Sequence, residues 1–364
     1  MSYSLILVGG GSFLKIILTG GGTAGHVTPN FALLDDLKKN NFEIEYIGSK
    51  NGMEKKLVME KGIVYHGISC GKLRRYLSMK NFSDVFRICK GIFEADKFIK
   101  KIKPNIIFSK GGFVSVPVVI AGWKNKIPIV IHESDMSLGL ANKICLPFAK
   151  IMCSSFELKN IKKTVWTGAP IRKELFLGDK ERARKKLNFD TRKVLMIIGG
   201  SQGSKKINDF IRAILNKLSN FQIIHVCGKN NLAENIKQEN YRQFEYLDKD
   251  LADFFALADI IISRSGSNSI FEFLALKKLN LLIPLSKKSS RGDQILNAKF
   301  FKENRFSEMI LEEDLSQDLF LNTLNKLINK KDFYLKNMLA ANFSNGTKKI
   351  IEQIKKYAIK QDRN

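Results

Sequence analysis

Short apolar, β-branched runs alternate with amphipathic stretches along the whole chain. In the front half the runs fall at 15–19, 43–48, 106–109, 127–132 and 151–153; behind them come 194–198, 222–226, 260–263 and 280–285. Apolar residues follow one another in these runs instead of alternating with polar ones, as expected of strands covered on both faces of a parallel sheet. Between them, 29–39, 205–218 and 251–258 have the pattern of crossover helices. This βαβα rhythm occurs twice and predicts two doubly wound α/β domains.

The two halves also echo each other. Ser109-Lys110-Gly111-Gly112 follows a strand in front, and Ser263-Arg264-Ser265-Gly266 follows one behind. A strand running into a glycine loop occurs at 15–25 and again at 194–203. A duplicated Rossmann-like unit is the simplest account, with the joint near 168–179. The 364 residues are about two to three times a common domain, which suits the division. The expected domains are 1–170 and 171–346, with a terminal helix at 347–364 joining the front one.

With 44% hydrophobic and 26% charged residues the chain is globular, and a disordered class is excluded. The apolar run 111–123 is too short to span a bilayer, and 1–8 lacks the basic segment of a secretory signal, so a soluble cytoplasmic chain is expected. Cys70, Cys89, Cys145, Cys153 and Cys227 form no C-x-x-C pair, and the histidines show no ligand spacing, so free thiols are expected. The net charge of +26 divides evenly between the halves, which rules out a separate basic tail. Such a field favours anionic partners such as nucleic acid, anionic lipid or phosphorylated substrates. A lysine-rich proteome would give the same excess.

Gly20-Gly21-Gly22-Thr23-Ala24-Gly25 contains G-x-G-x-x-G between a strand and a helix, with Glu43 and Glu45 about 20 residues on. This is a weak dinucleotide fingerprint, because a glycine loop at a helix start offers N–H groups to any anion. Two features point away from a nicotinamide cofactor. The loop ends in His26, a titratable side chain where a dehydrogenase keeps a small one, and a comparable loop, Gly199-Gly200-Ser201-Gln202-Gly203, recurs in the rear half. Two such loops suit one phosphorylated ligand per domain. His26 could equally be a helix-start histidine satisfied by backbone. Ser267 to Ser269 and Glu272 have the spacing of a helix cap, yet a carboxylate in that turn could also accept hydrogen bonds from ribose hydroxyls. Asp248-Lys249-Asp250 directly precedes 251–258 and reads as a helix cap, so no metal is assigned and no cofactor is expected.

Together these segments resemble the MurG family of bacterial glycosyltransferases. The likeness is carried by Gly21-Gly22-Thr23-Ala24-Gly25-His26-Val27-x-Pro29, Gly111-Gly112-Phe113-Val114-Ser115, His132-Glu133-Ser134, the rear glycine loop, Arg264-Ser265-Gly266 through Glu272, and Asp293-Gln294-x-x-Asn297-Ala298. It runs in order from about residue 15 to 350. The resemblance implies a GT-B fold, two Rossmann-like domains with the active site in the cleft between them. It implies inverting transfer of N-acetylglucosamine from UDP-GlcNAc to the C4 hydroxyl of the muramyl sugar of lipid I, giving lipid II and UDP. The enzyme would serve peptidoglycan synthesis, and through it cell shape and division. It would sit peripherally on the cytoplasmic face of the inner membrane, beside other cell-wall synthesis proteins.

On that resemblance His26 and Glu272 form the catalytic pair, His26 as base and Glu272 on the ribose hydroxyls. An imidazole suits the base because its ordinary pKa lies near neutrality. Gly200, Ser201 and Gln202, with Arg172, would stabilise the departing diphosphate. Ser267, Asn268, Ser269 and Leu247 would line the uridine end, and Gln294 would meet the sugar hydroxyls. Thr23, Ala24 and Gly25 would face the acceptor diphosphate. Asp135 stands where the family often has Asn, so it could accept from a sugar hydroxyl but not donate. Asp293 replaces a frequent Gln, and Ser204 follows Gly203.

A lipid-linked acceptor requires contact with an anionic bilayer. Residues 72–103 carry ten basic residues against three acidic ones. Within them Phe82, Val85, Phe86, Cys89 and Phe93 have helical spacing and are expected in the core, whereas 73–79 lacks periodicity and is the expected membrane-facing cluster. Trp123 is a second candidate anchor. Among rival readings, a nucleic-acid binder lacks any recognisable module, so no nucleic acid is expected. A dehydrogenase does not account for the second loop. Other GT-B enzymes, such as a diacylglycerol glycosyltransferase or a UDP-sugar epimerase, stand nearest, and a silent scaffold leaves His26 and Glu272 unexplained.

Overall fold

A computed structural model describes residues 13–71, 79–200, 203–287, 291–341, 343 and 345–359, with backbone only at 79–83. The front strands are β1 (Leu14–Thr19), β2 (Phe42–Ser49), β3 (Val64–Ile68), β4 (Ile106–Ser109), β5 (Ile129–Glu133), β6 (Ile151–Ser154) and β7 (Thr164–Trp166). Among the described residues they pair in parallel in the order β3-β2-β1-β4-β5-β6-β7. Around them lie α1 (Thr28–Phe31), α2 (Leu34–Lys39), α3 (Met53–Glu60), α4 (Met79–Ile102), α5 (Ser115–Lys124) and α6 (Leu140–Cys145). The rear domain has β8 (Lys193–Ile198), β9 (Phe221–Val226), β10 (Tyr241–Phe244), β11 (Ile260–Ser263), β12 (Leu279–Leu282) and β13 (Glu308–Met309). These form a second parallel sheet in the order β10-β9-β8-β11-β12-β13. Its helices are α7 (Lys180–Leu187), α8 (Lys205–Ala213), α9 (Leu251–Leu257), α10 (Ser267–Ala275), α11 (Asp293–Glu303), α12 (Gln317–Asn329) and α13 (Lys331–Ala340), and α14 (Thr347–Ile359) ends the described chain.

The continuous apolar runs have a direct cause. Along β1, Ile16 and Leu18 enter one core cluster and Ile17 the cluster on the opposite face, so both sides of the strand must be apolar. The strands with no such run, β3, β7, β10 and β13, are the four sheet edges. They are short and partly exposed, which leaves little signature in the sequence. Two expected helices are broken. Residues 29–39 divide into α1 and α2, and 205–218 into α8 followed by a tight turn at Leu215–Leu218.

The pattern also misled at α4. Val85, Cys89 and Phe93 were expected in the core with Phe86, but all four are exposed, Phe86 at 68% and Phe93 at 59%. The helix instead buries Gly91, Ala95, Asp96, Ile99 and Ile102, a face of small and branched residues that packs closely on α5. The Phe82 side chain and residues 73–78 lie outside what is described. Among the described residues no helix is long and apolar enough to cross a membrane.

The chain crosses between the two sheets twice. After α13 it returns to the front sheet, where Ile350, Ile351, Ile354 and Ala358 of α14 join the cluster of Ile16, Leu18 and Val130. The two crossings touch: Gly346 N–H donates to Ala169 O at 2.7 Å, and Ile171 N–H to Thr347 Oγ1 at 3.2 Å. Just past β6, Phe156 leaves the front sheet and buries its ring in the rear core. Its centroid lies 5.1 Å from Phe271 and 5.1 Å from Phe300, both edge-on. Such buried rings contribute area and edge-to-face packing together. Phe156→Ala should lower unfolding free energy by about 3–5 kcal/mol, read as a fall in the urea midpoint at unchanged slope.

Candidate active site

In a doubly wound sheet the crevice opens where neighbouring strands send their crossovers to opposite faces. Here those points lie between β1 and β4 in front and between β8 and β11 behind. The segments following β1, β4, β5 and β11 meet in one cleft of about 760 Å³. Close backbone approach requires glycine at several positions, Gly112 and Gly203 among them. Gly112 has φ +80° and a Cβ there would collide with Gly21 O; Gly203 has φ +74° and its Cβ would collide with Cys227 O.

The front loop ends in one tight turn, Ala24–His26, without side-chain capping. His26 Nδ1 lies 2.9 Å from Thr23 Oγ1, so the threonine hydroxyl engages one ring nitrogen. Burial and the nearby Lys110 ammonium push the His26 pKa down to about 4, with Asp135 opposing. The ring is therefore neutral at pH 7. Across the cleft Asn268, in the first turn of α10, donates to Gly25 O at 2.9 Å and receives a hydrogen bond from Ser134 Oγ at 3.4 Å.

Glu133 organises the next loop. Its carboxylate accepts from the N–H groups of Ser134, Asp135 and Gly139 and from Asn142 Nδ2, at 2.9–3.1 Å. Burial raises its pKa, and these donors oppose the rise. The loop is clamped from behind: Asn297 accepts from Met136 N–H at 3.1 Å and donates to Asp135 Oδ1 at 3.0 Å, and Ser137 bonds Asp293. On the floor lies Lys110, 1% exposed, its Nζ 2.8 Å from His132 Nδ1 and also bonded to Ser134 Oγ. Burial pushes the Lys110 pKa down to about 8, although Glu133 and Asp135 oppose this.

The cleft brings together Thr23, Ala24, Gly25, His26, Asp135, Arg172, Ser267, Asn268, Ser269, Glu272 and Gln294 of the expected site. Several details differ from expectation. The helix-cap reading of Ser267 to Ser269 fails, because α10 starts after Gly266 and uses no side-chain cap. Glu272 is ion-paired to Arg172 at 2.9 Å, so the arginine expected on the diphosphate is turned to the carboxylate instead. Burial raises the Glu272 pKa and Arg172 opposes it. Leu247 does not line the cleft; its side chain is buried in the rear core, where an apolar residue is most stable, leaving only backbone for a ligand. Gly200 is exposed and also outside the lining, and Ser201 and Gln202 lie outside the described residues. Asp250 precedes α9 but does not cap it, because its carboxylate takes Lys186 at 2.6 Å.

Three cleft groups had no role in the sequence reading. Lys110 and Glu133 sit inside motifs already noted after strands, so the signal was present but unassigned. Arg291, held by Asp293 at 2.6 Å, borders the cleft with nothing in its local pattern to mark it.

Residues 16–154 match the glycosyltransferase family 28 N-terminal domain and residues 194–354 its C-terminal domain. A Clostridium tetani protein named UDP-N-acetylglucosamine–N-acetylmuramyl-(pentapeptide) pyrophosphoryl-undecaprenol N-acetylglucosamine transferase is 54% identical over 94% of this chain and 98% of its own. A Clostridium botulinum protein of the same name is 54% identical over 94% and 99%. Among solved structures, Acinetobacter baumannii MurG superposes with a TM-score of 0.72 at 22% identity, over 94% of this chain and 99% of that one. Neisseria meningitidis UDP-GlcNAc 2-epimerase shares the fold with a TM-score of 0.64 at 14% identity, over 94% and 99%. The two sheets are thus those of a GT-B fold.

In the ligand-free protein, His26 should titrate near pH 4 and remain neutral above it. Lys110→Met removes one cause of the lowering and should raise the midpoint. Nitrogen-15 chemical shifts of the imidazole against pH measure both; a wild-type midpoint at 6.5 or above would contradict the assignment.

Proposed function

The chain belongs to glycosyltransferase family 28, and from that premise we propose that it transfers N-acetylglucosamine from UDP-GlcNAc to the muramyl-pentapeptide on undecaprenyl diphosphate. Lipid I becomes lipid II, in peptidoglycan synthesis. The observation that carries this reading is the pairing, in one interdomain cleft, of a neutral histidine from the front domain with a part-buried carboxylate from the rear. Near-identity of length with relatives of that named activity supports it.

The reaction exchanges one bond for another at the sugar's anomeric carbon. The C4 oxygen of the muramyl sugar bonds to that carbon as the bond to the UDP β-phosphate oxygen breaks, and UDP leaves with the electron pair. His26 takes the hydroxyl proton. Donation of Nδ1–H to Thr23 Oγ1 would leave Nε2 as the acceptor nitrogen. A pKa of about 4 makes a weak base; two bound diphosphates add negative charge, which raises it toward neutrality. Glu272 receives the ribose hydroxyls once Arg172 turns from it to the departing diphosphate. Ser267 to Ser269 line the uridine end with the backbone at Leu247, Gln294 meets the donor sugar, and Asp135 accepts from a sugar hydroxyl.

A bilayer-bound acceptor needs a docking surface, and α4 offers one. Phe86, Phe93 and Val85 are exposed beside Arg87, Lys90 and Lys97, with the Lys97 ammonium 4.6 Å from the Phe93 ring centroid. Trp123 of the adjacent α5 is also exposed. Apolar side chains entering the headgroup region amid cations give reversible, anion-dependent binding, with each cation contributing about 1 kcal/mol. The enzyme then works peripherally on the cytoplasmic face of the inner membrane.

UDP release should depend on a short-chain lipid I analogue and yield a disaccharide by mass spectrometry; release without acceptor would point to hydrolysis or epimerisation. His26→Ala should lower kcat by roughly 10²- to 10⁴-fold, and full turnover in that variant would remove the base assignment. Phe86→Glu combined with Phe93→Glu should abolish co-sedimentation with vesicles containing anionic lipid while leaving UDP binding intact.

A further inference from the structure

The cations around the cleft are unequally neutralised. Arg172 is held by Glu272 and Arg291 by Asp293. Arg264, which follows β11 as Lys110 follows β4, is paired with Glu312. Lys110 is the exception. Almost fully buried, it rests against two neutral partners, His132 Nδ1 and Ser134 Oγ, and among the described residues it forms no ion pair. Glu133 and Asp135 act on it only through space, their oxygens engaged by backbone N–H groups and Asn297. An ammonium buried with no carboxylate in contact is costly, and a cleft that keeps one is poised for a ligand that supplies the anion.

Two observations identify that anion. Lys110 stands at the front switch point between β1 and β4, on the same wall as Thr23 to His26, whereas Arg172 and Glu272 border the donor side. The front glycine loop already has an anion of its own. The fully buried Glu54 carboxylate accepts from Gly22 N–H at 3.4 Å and Ser49 N–H at 3.0 Å, and a Cβ at Gly21 would fall 2.7 Å from it. A diphosphate seated on that loop alone would meet a like charge.

Resting on the activity proposed above, we infer that Lys110 is the counter-ion of the acceptor's diphosphate, binding the group that joins the muramyl sugar to the lipid and selecting acceptors that carry it. The front loop then shapes the cavity around the diphosphate, and the charge that holds it comes from the end of β4. Lys110 thereby separates the two diphosphates of the reaction, one per domain.

The test compares full-length wild type, Lys110→Met and Lys110→Arg on two soluble acceptors, a short-chain lipid diphosphate muramyl-pentapeptide and its single-phosphate counterpart. In Lys110→Met, KM for the diphosphate acceptor should rise roughly 10- to 100-fold, the size expected for losing a charge-assisted hydrogen bond. KM for the single-phosphate acceptor should rise less, so the preference between them narrows. UDP affinity by calorimetry should stay unchanged, and Lys110→Arg should recover most of the loss. Equal effects on both acceptors, or weakened UDP binding, would overturn the inference. Should Lys110→Met fail to fold by circular dichroism, inhibition of the wild type by inorganic diphosphate decides. Competition with the acceptor supports the assignment, and competition with UDP-GlcNAc alone overturns it. Normal kinetics in Lys110→Met leave the activity standing without this role, whereas an inactive wild type removes the activity itself.

Discussion

Parallel strand pairing is the constraint from which the rest of this structure follows. A strand that pairs in parallel with its neighbour must return through a crossover, so every strand leaves the sheet at the same edge. In each domain that edge collects the glycine loop, the lysine or arginine one residue past a central strand, and the start of a helix. Two such edges facing each other enclose the cleft. The facing is held by side chains and not by the crossings alone: Asn268 reaches Gly25 O, Asn297 grips the loop at Asp135 and Met136, and Phe156 is sunk in the rear core.

Within the cleft, function depends on where charge has been left unbalanced. Glu133 spends its oxygens on backbone N–H groups and holds a loop, so its charge is structural. Arg264 does the same behind the rear glycine loop, bonding Ser204 Oγ at 2.7 Å and the carbonyls of Ile283 and Pro284. Glu272 and Arg172 neutralise each other, a pairing that a nucleotide can replace with contacts of similar kind. Among the described cations of the cleft, Lys110 has no carboxylate in contact with it. Burial first, and the Lys110 field second, keep the His26 imidazole neutral.

Much of the architecture was legible because strands buried on both faces leave long apolar runs. The central strands of both sheets were found for that reason, and the four edge strands were missed because an edge is half exposed. Periodicity was less informative on helices. At α4 the spacing of Val85, Phe86, Cys89 and Phe93 is the same whether that stripe meets the core or the solvent, and it meets the solvent. The glycine loops, His26 and Glu272 were recognisable as motifs. Neither the Arg172–Glu272 pairing nor the burial of Leu247 could be read, since each depends on a residue distant in the chain.

Local patterning determined the doubled βαβ architecture, the positions of the glycine loops and the chemical types available to the site. These follow from hydrophobic periodicity and backbone sterics, which act over a few neighbouring residues. Tertiary structure decided which charges are cancelled, which side chains of α4 are exposed and which backbone donors are already occupied. The physical reason is that electrostatic energy and desolvation depend on distance through space. Glu54 lies beneath Gly22, and Lys110 has His132 and Ser134 where Arg264 has Glu312. In a linear sequence Lys110 and Arg264 are two cations after two strands; only folding gives one of them a counter-ion.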